Sequence, residues 1–165
     1  MKYTLSDERR AHLLLHFERD DNAGSHFDLA TFPNPDTLLA SIETMQPNRI
    51  IRQANEREAH VYSFPEHIIC GSNGIGKRRD YPETAMQLEL RNGYTTAFIT
   101  VDVLSPTNLV TIVCDTNCNP PLLITGFPGD YAPAFPNNGM DAPERRSSEE
   151  FWKNHVLLKR MYLGG

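Results

Sequence analysis

The apolar pattern of this chain changes period at Pro47. Before it, hydrophobic residues recur about every 3.6 residues; after it they alternate with a period of about 2, with interruptions, as far as Phe127. A chain that changes period in this way segregates helices from strands. That predicts an α+β fold rather than a parallel sheet of βαβ units. The expected architecture is N-terminal helices packed on one face of a central antiparallel meander, closed by a C-terminal helix.

The helical half carries its own boundary signals. Leu5–Phe17 reads as the first helix: Ser6 can cap it, Asp7 and Glu8 suit its positive end, and Ala11, Leu14 and Leu15 supply the apolar spacing. The turn formers of Asp20–Gly24 end it. Asn34 caps a second helix, Pro35 fits its first position, and Leu38, Ile42 and Met45 form one face before Pro47. Helices are therefore expected at about 5–46, the sheet at about 49–127, an irregular loop at 128–146 and a C-terminal helix at 147–160.

In the second half, Arg49–Gln53, Ala59–Phe64 and Glu66–Cys70 are short strand candidates, and the glycine-rich Gly71–Arg79 reads as a loop. Met86, Leu88 and Leu90 alternate with polar residues and run into Asn92-Gly93, a strong two-residue hairpin signal. Tyr94–Val103 is the return strand, Leu109–Cys114 follows, and Leu122–Phe127 is expected to be last. Ser147 and Glu150 have capping-box spacing, which starts the final helix there and carries it to Arg160. Phe151, Trp152, His155, Val156 and Leu158 then dock it on the body, giving His155 a structural part.

At 165 residues the chain is sized for one domain, 1–165, and buries enough surface to need no disulfide or metal staple. No apolar run is long enough to span a membrane, and no secretory signal is visible behind MKYTLSDERR. The expected location is cytoplasmic, or the cytoplasm of a cell to which the chain is delivered. A net charge of −5 argues against a protein that coats nucleic acid by bulk charge, but it permits a local basic site. Lys77, Arg78 and Arg79 are the densest such cluster, with Arg49 and Arg52 next. The glycine-rich segment before them is no Walker loop, because Gly76-Lys77 is followed by Arg78 rather than Ser or Thr.

Three cysteines, Cys70, Cys114 and Cys118, read as reduced thiols. The step from Cys114 to Cys118 would also suit a disulfide or two thiolate ligands, though no His lies near it. His12 and His16 stand one helical turn apart without the Glu of a zincin motif, and His26 with Asp28 is an incomplete ligand set. No metal and no cofactor is expected.

The histidines say more in combination. His16 ends the first helix, and His26 follows ten residues later, with Gly24 and Ser25 just before it. Phe32-Pro33 and the second helix come next, and the meander closes in Thr125-Gly126-Phe127-Pro128. This order resembles bacterial EndoU-type ribonucleases, within the wider group of barnase, EndoU and RelE-like toxin nucleases. It departs from them in having one glycine before His26 and Phe127 where the family often has Tyr. The resemblance implies metal-independent RNA cleavage to a 2′,3′-cyclic phosphate. One of His16 and His26 would act as base and the other as acid, Thr125 would donate to a phosphoryl oxygen or the base, and Lys77 would neutralise developing charge. Arg49, Arg52, Lys77, Arg78, Arg79 and Phe127 would hold the RNA, tRNA being one candidate, on the side of the sheet that carries His26. A toxin of this kind would meet an immunity or inhibitor protein. The contrasting reading is a non-enzymatic acidic binder, itself an immunity, inhibitor or anti-defence protein, which the charge of −5 and Phe127 favour.

Overall fold

The computed structural model describes residues 1–17, 25–91 and 93–160. Among them, three α-helices and eleven strands form an α+β fold. The strands lie in three sheets. The first is small: β1 (His26–Phe27), β4 (Gly71–Ser72) and β8 (Pro106–Thr107), in that order. The second contains β2 (Arg49–Arg52), β3 (Arg57–Ser63), β9 (Leu109–Asp115) and β10 (Leu122–Pro128), ordered β10-β9-β3-β2 and antiparallel throughout. The third contains β5 (Ile75–Lys77), β6 (Gln87–Arg91), β7 (Tyr94–Val101) and β11 (His155–Arg160), ordered β5-β11-β7-β6. Here β11 runs parallel to β7 and antiparallel to β5. Antiparallel pairing dominates as expected, but it is divided among separate sheets rather than gathered in one.

Helix α1 (Asp7–Leu14) begins where its cap predicts, with Ser6 Oγ accepting from the Arg9 amide at 3.2 Å. Its inward residue is Leu13, not the expected Ala11, Leu14 and Leu15; Leu14 and Leu15 are 39% and 58% exposed. The helix is only two turns long, and the chain leaves it through tight turns at 15–17. These carry Phe17 into the core, where it stacks on Phe27 at 4.5 Å. Leu13 fits over a gap in β10: a methyl group on Gly126 would stand 3.3 Å from Leu13 Cδ1 and 2.8 Å from Ile112 Cδ1. The expected turn at Asp20–Gly24 lies outside the described residues.

Helix α2 (Pro35–Glu43) follows its signals closely. Asn34 Oδ1 accepts from the Thr37 amide at 2.9 Å, and Leu38 and Ile42 are fully buried. They share a core with Leu13, Tyr62, Val110, Ile112 and Leu123.

Two segments differ from their sequence reading. Glu66–Cys70 is not a strand; the Ile68 amide donates to Pro65 O in a turn. The glycine-rich segment after it supplies β4 and β5 instead of a loop, and Arg78–Asp80 forms a turn of 3₁₀ helix. The glycines there serve close packing rather than flexibility. A methyl on Gly71 would stand 2.3 Å from the His26 carbonyl oxygen and 2.7 Å from Pro128 Cβ.

The C-terminal helix exists but is displaced. Helix α3 spans Ala142–Lys153, capped by Asp141, whose Oδ1 accepts from the Glu144 amide at 2.9 Å. Pro143 sits in its first turn, so the Asp-x-Pro signal outranks the Ser147/Glu150 spacing, which lies inside the helix. Residues 155–160 are strand β11, so Leu122–Phe127 is not the last strand. Val156 and Leu158, 0% and 5% exposed, alternate toward a second core with Ala97 and Ile99. Trp152 is half-buried: its Nε1 donates to Pro133 O at 3.2 Å and its ring stacks on Phe135 at 4.1 Å.

The hairpin holds in its pairing. Arg91 opposes Tyr94, and Gly93 takes the left-handed backbone with φ +83°; Asn92 lies outside the described residues. Strand β6 is the edge of its sheet, and its alternating Leu88 and Leu90 face solvent, 69% and 76% exposed. No described helix is long and apolar enough to cross a membrane.

A strand at 155–160 has a direct consequence. Leu158→Ala is expected to destabilise the chain by about 2–5 kcal/mol in urea unfolding, the loss typical of a buried leucine. A loss within ~0.5 kcal/mol, the range of exposed positions, would contradict its place in the second core.

Candidate functional site

His16 and His26 come together. The turn after α1 brings the His16 carbonyl to the Phe27 amide at 2.9 Å, so the backbone of one histidine bonds beside the other. His16 Nδ1 donates to Ser25 O at 3.1 Å, and His26 Nδ1 donates to Phe27 O at 2.8 Å. A carbonyl can only accept, so each Nδ1 carries the proton, and in the neutral form the lone pair is on Nε2. Burial pushes His16 below the usual imidazole value; the charges of His12 and His26 push the same way, against the Ser25 bond. His16 is therefore neutral near pH 7, with its lone pair free on Nε2.

Phe127 reaches the site through an irregularity in β10 that also puts Thr125 on its face. Leu123 opposes Cys114, but Thr125 opposes Val113, so the ladder slips by one residue at Ile124. With strict alternation Thr125 would share the buried face of Leu123. The bulge turns Thr125 and Phe127 to the other face and leaves Gly126 inward beneath Leu13. The Phe127 ring lies 6.5 Å from the His16 ring. The end of β10 also meets the first sheet, where Pro128 packs at Gly71, the residue opposite Phe27. Three of the expected residues, His16, His26 and Phe127, thus meet at this corner, and Thr125 stands two positions up the same face.

The basic residues divide. Arg49 and Arg52 are on β2, the edge of the second sheet opposite β10, roughly 14 Å away at ordinary strand spacing. They are paired with carboxylates, Arg49 with Asp130 at 2.9 Å and Arg52 with Glu58 at 3.9 Å. They do not join Lys77–Arg79, contrary to the sequence expectation of a shared cleft. Lys77 ends β5. It stands three residues, or about 10 Å, beyond Gly74, whose amide donates to Ser25 Oγ at 3.3 Å. Lys77, Arg78 and Arg79 instead line a cavity of about 440 Å³ with Lys153, Asn154 and His155. The last three were not read as functional. Their signal was present: strand periodicity from 155 places them at the start of a strand able to pair with the glycine-rich segment.

A second group was also missed. Glu58, His60 and Tyr62 alternate along β3 on one face. Fully buried His60 donates from Nε2 to Glu58 Oε1 at 2.9 Å, while its Nδ1 meets Tyr3 Oη at 2.7 Å, and Tyr3 bonds Tyr62. Cys114 Sγ lies 3.8 Å from His60 Nε2. Burial pushes its thiol up to about 12, helped by the Glu58 charge, so the pair supplies no thiolate nucleophile. Burial pushes Cys70 to about 12 as well. All three cysteines are free thiols. Among the described residues, no group of three or more His, Cys, Asp or Glu is placed to hold a metal ion.

Set against known proteins, the sequence matches no family model and no curated protein.

Two outcomes follow from this corner. A histidine held below its ordinary value adds stability that is whole above about 6.5, the unfolded value, and is lost as pH falls toward the lowered folded value. Chemical unfolding from about pH 7 to pH 5 should therefore show His16→Gln losing less stability than the parent chain; parallel curves would remove His16 from the buried set. Gly71→Ala should cost about 1–3 kcal/mol or more by overpacking, because backbone and a proline ring block the methyl. A neutral effect in urea melts would contradict the close approach of β1, β4 and β10.

Proposed function

We propose that this chain is a metal-independent endoribonuclease in which His16 and His26 act as base and acid. The observation that carries the reading is their union at one corner: residues ten apart in sequence are joined by the Phe27–His16 backbone bond and aligned by carbonyls on both Nδ1 atoms. Neutral His16 suits the base. Its Nε2 would take the proton from a ribose 2′-hydroxyl, the oxygen would attack phosphorus, and the bond to the 5′-oxygen would break. His26 would return a proton to that oxygen, leaving a 2′,3′-cyclic phosphate and a 5′-hydroxyl. Thr125, on the face that carries Phe127, is the candidate donor to the phosphoryl oxygen or the base, and Phe127 offers a surface on which a base can stack. Lys77, Arg78 and Arg79 would draw the polyanion in by charge, against a net charge of −5. Arg49 and Arg52 fit this role less well because carboxylates engage them.

One observation favours the second reading, a non-enzymatic binder such as an immunity or inhibitor protein. The edge strand β6 presents Leu88 and Leu90 to solvent, with Val103 79% exposed in the same sheet's following turn. Bare apolar edges of this kind commonly mark protein interfaces.

The test is cleavage of a labelled RNA in the presence of a chelator. The ribonuclease reading expects 2′,3′-cyclic termini and a bell-shaped pH–rate profile. His16→Ala and His26→Ala should each slow the reaction by about 10²–10⁴-fold. Undiminished cleavage by the double variant would overturn the assignment. Absence of cleavage together with tight capture of a basic protein partner would favour the binder.

A further inference from the structure

The cavity between the third sheet and the end of α3 is built from two distant segments. Residues 77–79 leave β5, and residues 153–155 join α3 to β11. Two links hold them together: Lys77 opposes His155 in the β5–β11 ladder, and the Arg78 amide donates to Asn154 O at 2.9 Å. The lining comprises four cations, Lys77, Arg78, Arg79 and Lys153, with Asn154 and the His155 imidazole, and contains no carboxylate.

None of the four cations makes an ion pair among the described residues, a condition they share with Arg9, Arg57, Arg145, Arg146 and Arg160; what sets them apart is their convergence on one concavity. Arg78 Nε is buried with no hydrogen-bond partner. A buried donor left unsatisfied costs about 1–3 kcal/mol. Like charges brought into one concavity repel, and an acidic chain has carboxylates to spare for pairing them. The imidazole is held in place rather than loose: His155 lies flat on Phe151 with ring centroids 3.8 Å apart, and its Nδ1 donates to Phe151 O at 2.8 Å. That bond leaves Nε2 as the atom able to meet a ligand.

We propose that this cavity is a binding site for a terminal, multiply charged phosphate, either a polyphosphate or the phosphorylated end of a nucleotide chain. Four cations exceed the single charge of an internal phosphodiester and match a group carrying two or more. The volume of about 440 Å³ falls within the range of small-ligand sites, roughly 300–1,000 Å³. The guanidinium groups of Arg78 and Arg79, both in the lining, suit the oxygens of such a group. The site shares Lys77, Arg78 and Arg79 with the proposed RNA path, but none of its lining residues belongs to the His16–His26 corner, and its binding of phosphate does not depend on RNA cleavage there.

The experiment is calorimetric titration of the full chain with tripolyphosphate, and with one RNA oligonucleotide bearing either a 5′-phosphate or a 5′-hydroxyl. Saturable one-to-one binding of tripolyphosphate is expected. Lys77→Gln/Lys153→Gln should weaken it by about tenfold or more, and both lysines are exposed enough for the fold to survive the change. Arg49→Gln/Arg52→Gln, equal in charge removed, should leave it within about twofold. If the 5′-phosphate also strengthens oligonucleotide binding and tripolyphosphate competes, the natural ligand is a nucleic-acid end. If only tripolyphosphate binds, it is a free polyphosphate. Three results would overturn the site: no saturable tripolyphosphate binding, equal weakening by both double variants, or oligonucleotide binding that ignores the 5′-phosphate and is not displaced by tripolyphosphate. The His16→Ala/His26→Ala variant, which leaves the cavity lining intact, should bind tripolyphosphate like the parent chain, so loss of its RNA cleavage reports separately on the histidine corner.

Discussion

The close approach at Gly71 organises the molecule. Strand β4 passes so near β1 and the end of β10 that no side chain fits between the His26 carbonyl and the Pro128 ring. That contact ties the small first sheet to the edge of the second. It sets His26 beside the turn that ends α1, and therefore beside His16. It also fixes where the chain continues, since β5 begins three residues after Ser72 and delivers Lys77, Arg78 and Arg79 to the third sheet. One glycine thus links the histidine corner to the basic cavity.

The two regions differ in how charge is handled. At the corner, the imidazoles are positioned by backbone carbonyls, and burial keeps His16 neutral, a condition that favours proton transfer over ion pairing. In the cavity, fixed cations converge without counter-charges, a condition that favours an anionic ligand. Glu89, by contrast, neutralises both Arg91 and Lys159 directly. The Lys159 bond is the main reason the Glu89 carboxyl is held below its usual range. Strand β11 makes the cavity possible, because its pairing with β5 places 153–155 opposite 77–79.

Much of this was legible in the sequence, for identifiable reasons. Caps at Ser6 and Asn34, and the Gly93 turn, are local signals whose physics acts within a few residues, and each appears where it was read. The pairing of His16 with His26 followed from a resemblance, and the fold brings the two together. The misreadings share one cause: a local signal overruled by distant packing. Gly71–Lys77 has loop composition, yet glycine is required there for close strand contact. Phe151 to Leu158 fits a helical face, but Val156 and Leu158 are drawn into the second core with strand periodicity. The slip at Ile124 that reorients Thr125 exists only in the pairing of β10 with β9 and leaves no mark on β10 alone. Arg49 and Arg52 were grouped with Lys77–Arg79 by charge, a property that does not reveal sheet order.

The central claim is that His16 and His26 share one electrostatic site in which His16 is held below the usual imidazole value. Following the imidazole carbon-bound protons by NMR as pH is varied tests it most directly. The account expects His16 to titrate below about 6.5 and to move upward when His26 is replaced by Gln, because a neighbouring positive charge is removed. A His16 that titrates at or above about 6.5 and ignores the His26→Gln change would contradict it.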